Sequence, residues 1–161
     1  MVLGVCAFLW TLWSSVAATN CPDLWIPYQG SCYRFGHKHL SFFEAQHYCE
    51  QHNGHLVHIE STSEIGFLKE FMDHDKDTNW WIGLTDDDIE GQWVWYGTSV
   101  MPEVTDWHTG EPNNSGPGED CAQYYIYNGG ASWSWNDAAC NLQNASPICE
   151  LKGTDTLPVV G

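Results

Sequence analysis

The spacing of polar and apolar residues shifts along this chain, and each shift marks an element. After Gly30 and Cys32, Tyr33 to Phe35 reads as a short apolar strand. Ser41 with Glu44 fits a capping box. Phe42, Phe43, Ala45, Gln46 and Cys49 then follow at helical spacing, and Asn53-Gly54 ends the run, which predicts a helix opening at Ser41. His55 to Ile59 predicts a short strand. Ser61 with Glu64 is a second capping box, and Ile65, Leu68, Phe71 and Met72 give the apolar face of a helix running to about Met72. Trp80-Trp81-Ile82-Gly83-Leu84 predicts a strand, closed by the acidic turn Asp86-Asp87-Asp88. The second half changes character. Short aromatic strands, Trp93-Val94-Trp95-Tyr96 and Tyr124-Tyr125-Ile126-Tyr127, alternate with loops rich in Gly, Pro, Asn and Asp, and Pro147-Ile148-Cys149-Glu150-Leu151 is a last strand. A loop over about 98–120 has little patterning of its own, and loops of that length are usually functional or disordered.

The beginning of the chain reads differently. Residues 1–18 are almost wholly apolar and uncharged. Leu3 to Trp13 is too short to span a bilayer, and Val16-Ala17-Ala18 suits a signal peptidase, so the expectation is a secretory signal 1–18, a domain over 19–152 and a short tail 153–161. The n-region carries no Lys or Arg. No other long apolar run exists, so no membrane span is expected. The chain has 161 residues, enough for one ordinary domain. It carries 21 acidic against 5 basic residues, a net charge of −16. That balance argues against nucleic-acid binding, which needs a basic footprint, and suits cations. Of seven cysteines, Cys6 falls in the signal; Cys21, Cys32, Cys49, Cys121, Cys140 and Cys149 remain. An even number in a secreted domain implies three disulfides, with 15 pairings open. No two cysteines are spaced closely enough for a zinc site.

The candidate chemistry lies in Glu111-Pro112-Asn113, Glu119-Asp120-Cys121 and Trp135-Asn136-Asp137. Five side chains there carry oxygen donors: Glu111, Asn113, Glu119, Asn136 and Asp137. Carboxylates and amides without thiolate or imidazole form a hard-cation set, and Ca²⁺ takes 6–8 such oxygens in irregular geometry. Five side chains, one backbone carbonyl and two outside oxygens complete that shell. If the outside oxygens are two sugar hydroxyls, the site binds carbohydrate through calcium.

With these motifs the chain resembles the C-type lectin-like domain over nearly all of residues 21–151. The residues carrying the resemblance are the Cys-Pro start with Cys21 and Cys32, the two early helices, Trp81-Ile82-Gly83-Leu84, the three ligand motifs, and Cys140 with Cys149. The resemblance implies an α+β fold of two helices with small antiparallel sheets, three disulfides and a long calcium-binding loop region. It implies the pairs Cys21–Cys32, Cys49–Cys149 and Cys121–Cys140, the second closing a loop of about 100 residues worth roughly 5 kcal/mol. It implies a principal calcium site at Glu111, Asn113, Glu119, Asn136 and Asp137, the last also giving its backbone carbonyl, with Pro112 as a cis proline that aims its neighbours at one ion. Each sugar hydroxyl would give a lone pair to calcium, donate to a carboxylate and accept from an amide. In the family the order Glu-Pro-Asn goes with equatorial 3- and 4-hydroxyls, as in mannose, glucose and N-acetylglucosamine, and with equivalent fucose hydroxyls.

The resemblance also implies an accessory calcium site at Asp86, Glu90, Asn114, Glu119 and Asp120. Position 114 departs by being a neutral amide, and the competing reading is a solvent-facing acidic turn. A second departure is the extra length between Cys121 and Asn136, within Tyr125 to Trp133, where Tyr127, Gly129, Gly130 and Trp133 either extend a hairpin beside the sugar or pack on the domain. Aromatic rings of that kind suit the apolar faces of sugars. Asn113-Asn114-Ser115 and Asn144-Ala145-Ser146 are formal glycosylation sequons, and Pro112 and Pro147 make both poor acceptors. Asp73, Asp75 and Asp77 mimic an EF-hand start, but Thr78 and Leu84 stand where Gly and Glu are needed. His52, His55 and His58 fall on three different predicted elements and read as structural or surface residues.

The expected function is a secreted, extracellular, calcium-dependent lectin of mannose-type specificity, not an enzyme. The resemblance adds innate-immune pattern recognition, with microbial surface polysaccharides as partners and agglutination as the outcome. One shallow site binds weakly, so useful binding needs several together, and a homo-oligomer would have to form through the domain or its tail. The alternative is an acidic matrix or biomineral-associated protein. A glycosidase would need paired free carboxylates, and the best-placed ones here are committed to the ion.

Overall fold

The computed structural model describes residues 21–76, 78–127, 129 and 132–153. The expected leader and all but the first residue of the expected tail lie outside these. In chain order the elements are β1 (Ile26–Tyr28), β2 (Ser31–Phe35), α1 (Phe42–Glu50), β3 (His55–Leu56), α2 (Thr62–Met72), β4 (Asn79–Thr85), β5 (Val94–Trp95), β6 (Cys121–Tyr127), β7 (Ser132–Ala138) and β8 (Ala145–Lys152). The strands form a mixed sheet in the order β1-β2-β8-β4-β6-β7, with β3 on β8 and β5 on β4. Among the described residues, β4 and β8 are the one pair of strands that runs parallel. Two helices on this sheet, with three disulfides, make an α+β fold.

The first helix begins as its sequence dictates. The Ser41 hydroxyl accepts from Glu44 N, and the Glu44 carboxylate returns to Ser41 N at 2.9 Å. Phe42, Ala45 and Cys49 are fully buried on its inner face, while Phe43 turns outward. The second helix departs from a full capping box. Ser61 still accepts from Glu64 N (3.2 Å), but the Glu64 carboxylate turns inward to Tyr33 Oη (2.8 Å) and Glu60 N (2.8 Å). Burying that carboxylate is tolerable only because both oxygens find donors.

Strand β4 divides the core. Trp80, Ile82 and Leu84 pack on one side with α2 residues Ile65, Leu68 and Met72. Trp81 packs on the other with Phe42, Ala45, Cys49 and Leu56 of α1 and β3. Gly83 is required at this crossing, since a Cβ there would stand 2.7 Å from Leu56 O and 2.9 Å from the His58 ring. The strand predicted over His55–Ile59 is regular only at His55–Leu56. Beyond it Val57 still donates its N–H to Ile148 O of β8, but its carbonyl accepts from Gly83 N of β4. The Trp93–Tyr96 strand likewise narrows to Val94–Trp95.

Three disulfides tie these layers: Cys21–Cys32, Cys49–Cys149 and Cys121–Cys140. The histidines do not converge as ligands. His52 lies on Tyr48, and the His55 and His58 rings are 4.2 Å apart with His58 stacked on Trp95 at 5.2 Å. Burial, then the positive charges of His55 and Lys152, pulls His58 down from 6.5 to about 3. A depressed histidine stabilises the fold above its ordinary value, and that contribution is lost as pH falls, because the unfolded chain takes the proton that the folded chain resists. Urea midpoints of a His58→Gln variant should therefore fall less steeply than those of the parent between pH 6.5 and about 3. Equal slopes would assign the acid limb to other groups.

Candidate functional site

The long loop is anchored before it reaches the ligand motifs. Lys69 of α2 pairs with Asp106 at 2.7 Å. Trp135 N donates to Asp106 O (2.8 Å), and His108 N donates to Trp135 O (2.9 Å). Trp107 packs edge-on to both Trp93 and Trp135. From this base the chain turns through Glu111 N→His108 O (2.9 Å) into a cis Glu111-Pro112 bond.

The motifs then meet. The Asn113 amide donates to Glu111 Oε2, and the Asn136 amide donates to the Asp137 carbonyl. Asp137 is fully buried. Its Oδ2 accepts from Asn114 N at 2.6 Å, while its Oδ1 has no hydrogen-bond partner. Glu111 lies within hydrogen-bonding reach of Asp137. Burial, the contact with Asp137 and that residue's negative charge raise the Glu111 carboxyl above its ordinary 4.5, with Glu119 adding repulsion and Asn113 partly offsetting it. Glu119 is held by the loop itself. Its Oε2 accepts from Ser115 N (2.9 Å), and its N–H donates to Asn114 Oδ1 (2.9 Å). Asn114 adopts φ +46°, a left-handed turn that asparagine tolerates better than most residues.

Among the described residues, no three or more His, Cys, Asp or Glu side chains gather as a metal-binding group. The five residues fit a hard cation on other grounds. A buried carboxylate oxygen without a donor is expensive unless paired, and the Asp137 carboxylate that carries it lies against that of Glu111, which burial and like charge disfavour as an anion. Two amide side chains and a backbone carbonyl complete an all-oxygen set suited to Ca²⁺. When bound, the ion would supply positive charge to Glu111, Asn113, Glu119, Asn136 and Asp137, and a coordination face for outside oxygens.

The accessory residues fall into two groups. Asp86 is buried, with Oδ2 accepting from Gly91 N (2.8 Å) and Oδ1 unpartnered. Burial, then the charges of Glu90 and Asp120, raises its carboxyl, so these three acids sense one another. Asp86 N also donates to Asp120 O (3.1 Å), and Thr85 Oγ1 to the same carbonyl (2.6 Å). Asn114 has its oxygen turned to Glu119 N.

The lengthened segment does two things. Trp133 packs on the domain, buried and donating to Asp73 Oδ1 at 3.1 Å. Tyr127 turns to the ligand motifs, donating its hydroxyl to Asn136 Oδ1 at 2.9 Å and stacking on His108 at 3.6 Å and 8°. Burial, then the charges of Glu111, Tyr125 and Asp137 and a hydrogen bond with Glu111, pushes its phenol up to about 12. Gly130 lies outside the described residues. His108 is the site neighbour that sequence reasoning missed, because nothing in a lone histidine three residues before Glu111 signals a ring stack with Tyr127.

Comparison with known proteins gives a consistent result. A family model described as the lectin C-type domain matches residues 38–151, well over half of the chain. The low affinity immunoglobulin epsilon Fc receptor of Mus musculus is 38% identical over 138 residues, covering 86% of this chain and 39% of the receptor. This chain thus spans well under half the length of that relative. The cow C-type carbohydrate-recognition domain of CD23, solved in the presence of a GlcNAc2Man3 oligosaccharide, superposes with a TM-score of 0.74 at 34% identity, covering 84% of this chain and 98% of that one. Herring type II antifreeze protein superposes with a TM-score of 0.70 at 30% identity, covering 82% and 98%. No helix among the described residues is long and apolar enough to cross a membrane.

Proposed function

Because the chain belongs to the C-type lectin domain family, we propose that it is a secreted, calcium-dependent lectin of mannose-type specificity. In this reading residues 1–18 are a cleaved leader and 19–152 the lectin domain. Glu111, Asn113, Glu119, Asn136 and Asp137 hold the principal ion, and Asp86, Glu90, Asn114 and Asp120 an accessory one with Glu119. The carrying observation is the buried carboxylate of Asp137, its Oδ1 unpartnered, in contact with Glu111, with the Asn113 amide on Glu111 Oε2 and the Asn136 amide on the Asp137 carbonyl.

The chemistry follows from donors and acceptors. Paired equatorial hydroxyls each give one lone pair to the ion. The hydroxyls donate hydrogen bonds to the carboxylates of Glu111 and Glu119, and their oxygens accept from the amides of Asn113 and Asn136. Nothing is turned over. A shallow site of this kind needs several copies acting together on a repeating surface, which fits microbial polysaccharides and a role in innate recognition and agglutination. An acidic matrix or mineral-associated role is the second reading, favoured by the net charge of −16 and the exposed Asp87, Asp88 and Glu90.

A glycan array in millimolar calcium and again in chelator tests the reading. The expected result is binding to mannose, glucose, N-acetylglucosamine or fucose termini that vanishes in chelator and returns with calcium. Binding that persists in chelator overturns the ion-mediated mechanism. No glycan binding in either buffer, with retention on calcium mineral, favours the second reading.

A further inference from the structure

The geometry points to a second carbohydrate subsite beside the ion cage: a ledge of Tyr125, Tyr127 and His108 that takes a gluco-configured pyranose linked to the ion-held sugar. The inference rests on the lectin reading above and adds a site to it.

The ledge follows from strand register. β6 and β7 pair Gln123 with Asn136, Tyr125 with Ser134 and Tyr127 with Ser132. Directly opposed residues share a sheet face, so Tyr125 and Tyr127 stand on the same face as Asn136. The opposite face carries Tyr124, Trp133 and Trp135, all buried in the core. Tyr127 sits opposite Ser132 yet bonds Asn136 Oδ1 at 2.9 Å, so its ring lies back along the strand toward the cage. His108 covers one face of that ring, and Tyr125 meets it edge-on at 4.9 Å and 65°. Tyr127 and His108 are half-buried. Tyr125 is 40% exposed and is the ring best placed to meet a ligand.

A large exposed aromatic beside polar groups is a recurrent binding feature, with an apolar face and a polar tip. One tyrosine ring separates Tyr125 from Asn136, a gap bridged by the neighbouring residue of a glycan whose terminal 3- and 4-hydroxyls occupy the cage. A gluco-configured pyranose presents an uninterrupted set of ring C–H groups on one face, which is the surface a tyrosine ring packs against. The fixed Tyr127–Asn136 bond holds ledge and cage in one relation, so little ordering is needed on binding.

The test compares N-acetylglucosamine with its β1,4-linked dimer, titrated calorimetrically into the protein in millimolar calcium. The parent should prefer the dimer, and Tyr125→Ala should lower the dimer-to-monomer affinity ratio by about 3- to 10-fold, while Tyr125→Phe retains it. In the parent, the dimer and not the monomer should shift the Tyr125 ring protons. A ratio unchanged in Tyr125→Ala, with the monomer still bound, overturns the subsite alone. Failure of N-acetylglucosamine and mannose alike to bind in calcium overturns the lectin reading, and the subsite with it.

Discussion

Asp137→Asn should abolish calcium-linked stabilisation while leaving the calcium-free protein as stable as the parent, or more so. Both halves follow from one side chain. Asp137 is fully buried, with Oδ2 on Asn114 N and Oδ1 unpartnered. An amide oxygen of the same shape still accepts from Asn114. What is lost is a negative charge beside Glu111. A raised carboxyl contributes stability that is present below its ordinary value of 4.5 and lost as pH rises through the folded value. At neutral pH the metal-free cage therefore works against folding, and removing one of its charges relieves it. The parent and variant curves should converge well below pH 4.5, where Glu111 is protonated in both the folded and the unfolded state.

In the proposed reading, calcium should reverse the balance. An ion bound only by the folded state stabilises it by about 2.7 kcal/mol at a hundredfold excess over Kd. Losing an outer-sphere partner alone costs about 10- to 100-fold in metal affinity, so loss of a charged ligand should exceed about 100-fold. Thermal melts with and without calcium check this directly. A parent shift that disappears in the variant, with an unchanged or raised calcium-free Tm, is the expected pattern. A calcium-free Tm that falls sharply would make Asp137 a structural hydrogen-bonding group instead.

The second large effect is expected from Cys49→Ala with Cys149→Ala. This bridge joins α1 to β8 across a sequence separation of 100, whereas Cys21–Cys32 spans 11. In the chain-entropy model the longer loop is worth about 5 kcal/mol and the shorter about 3 kcal/mol. A domain of this size has roughly 5–15 kcal/mol in total, so loss of the longer bridge removes a large share. Urea unfolding should give a fall in midpoint clearly larger for the Cys49/Cys149 pair than for Cys21/Cys32. Equal falls would show that loop entropy does not set the ranking.

Much of the fold was legible because local patterns coincide with tertiary need. Ser41 and Glu44 cap α1 in sequence and in space, and Trp80–Leu84 forms the buried centre of the sheet. Where the pattern misled, a distant partner intervened. Glu64 gave up half of its capping box to Tyr33, thirty-one positions away along the chain. The β7 strand carries a plain alternation, Ser-Trp-Ser-Trp-Asn, that the ligand motif within it obscured.

The sequence by itself determined the chemistry available: an acidic chain, seven cysteines of which six follow residue 20, and carboxylates and amides clustered in three short motifs. Residue type and local spacing are written in the chain, so donor set and helix starts can be read there. Tertiary structure decided which of those groups meet. It buried Asp137 and left one oxygen without a donor, set Glu111 against it, and folded Tyr127 back onto Asn136 beneath His108. Burial and like-charge proximity are properties of the packed chain rather than of any segment. For that reason the disfavoured charge on Glu111 and the aromatic ledge beside the cage arise only when the long loop closes over the β6–β7 hairpin.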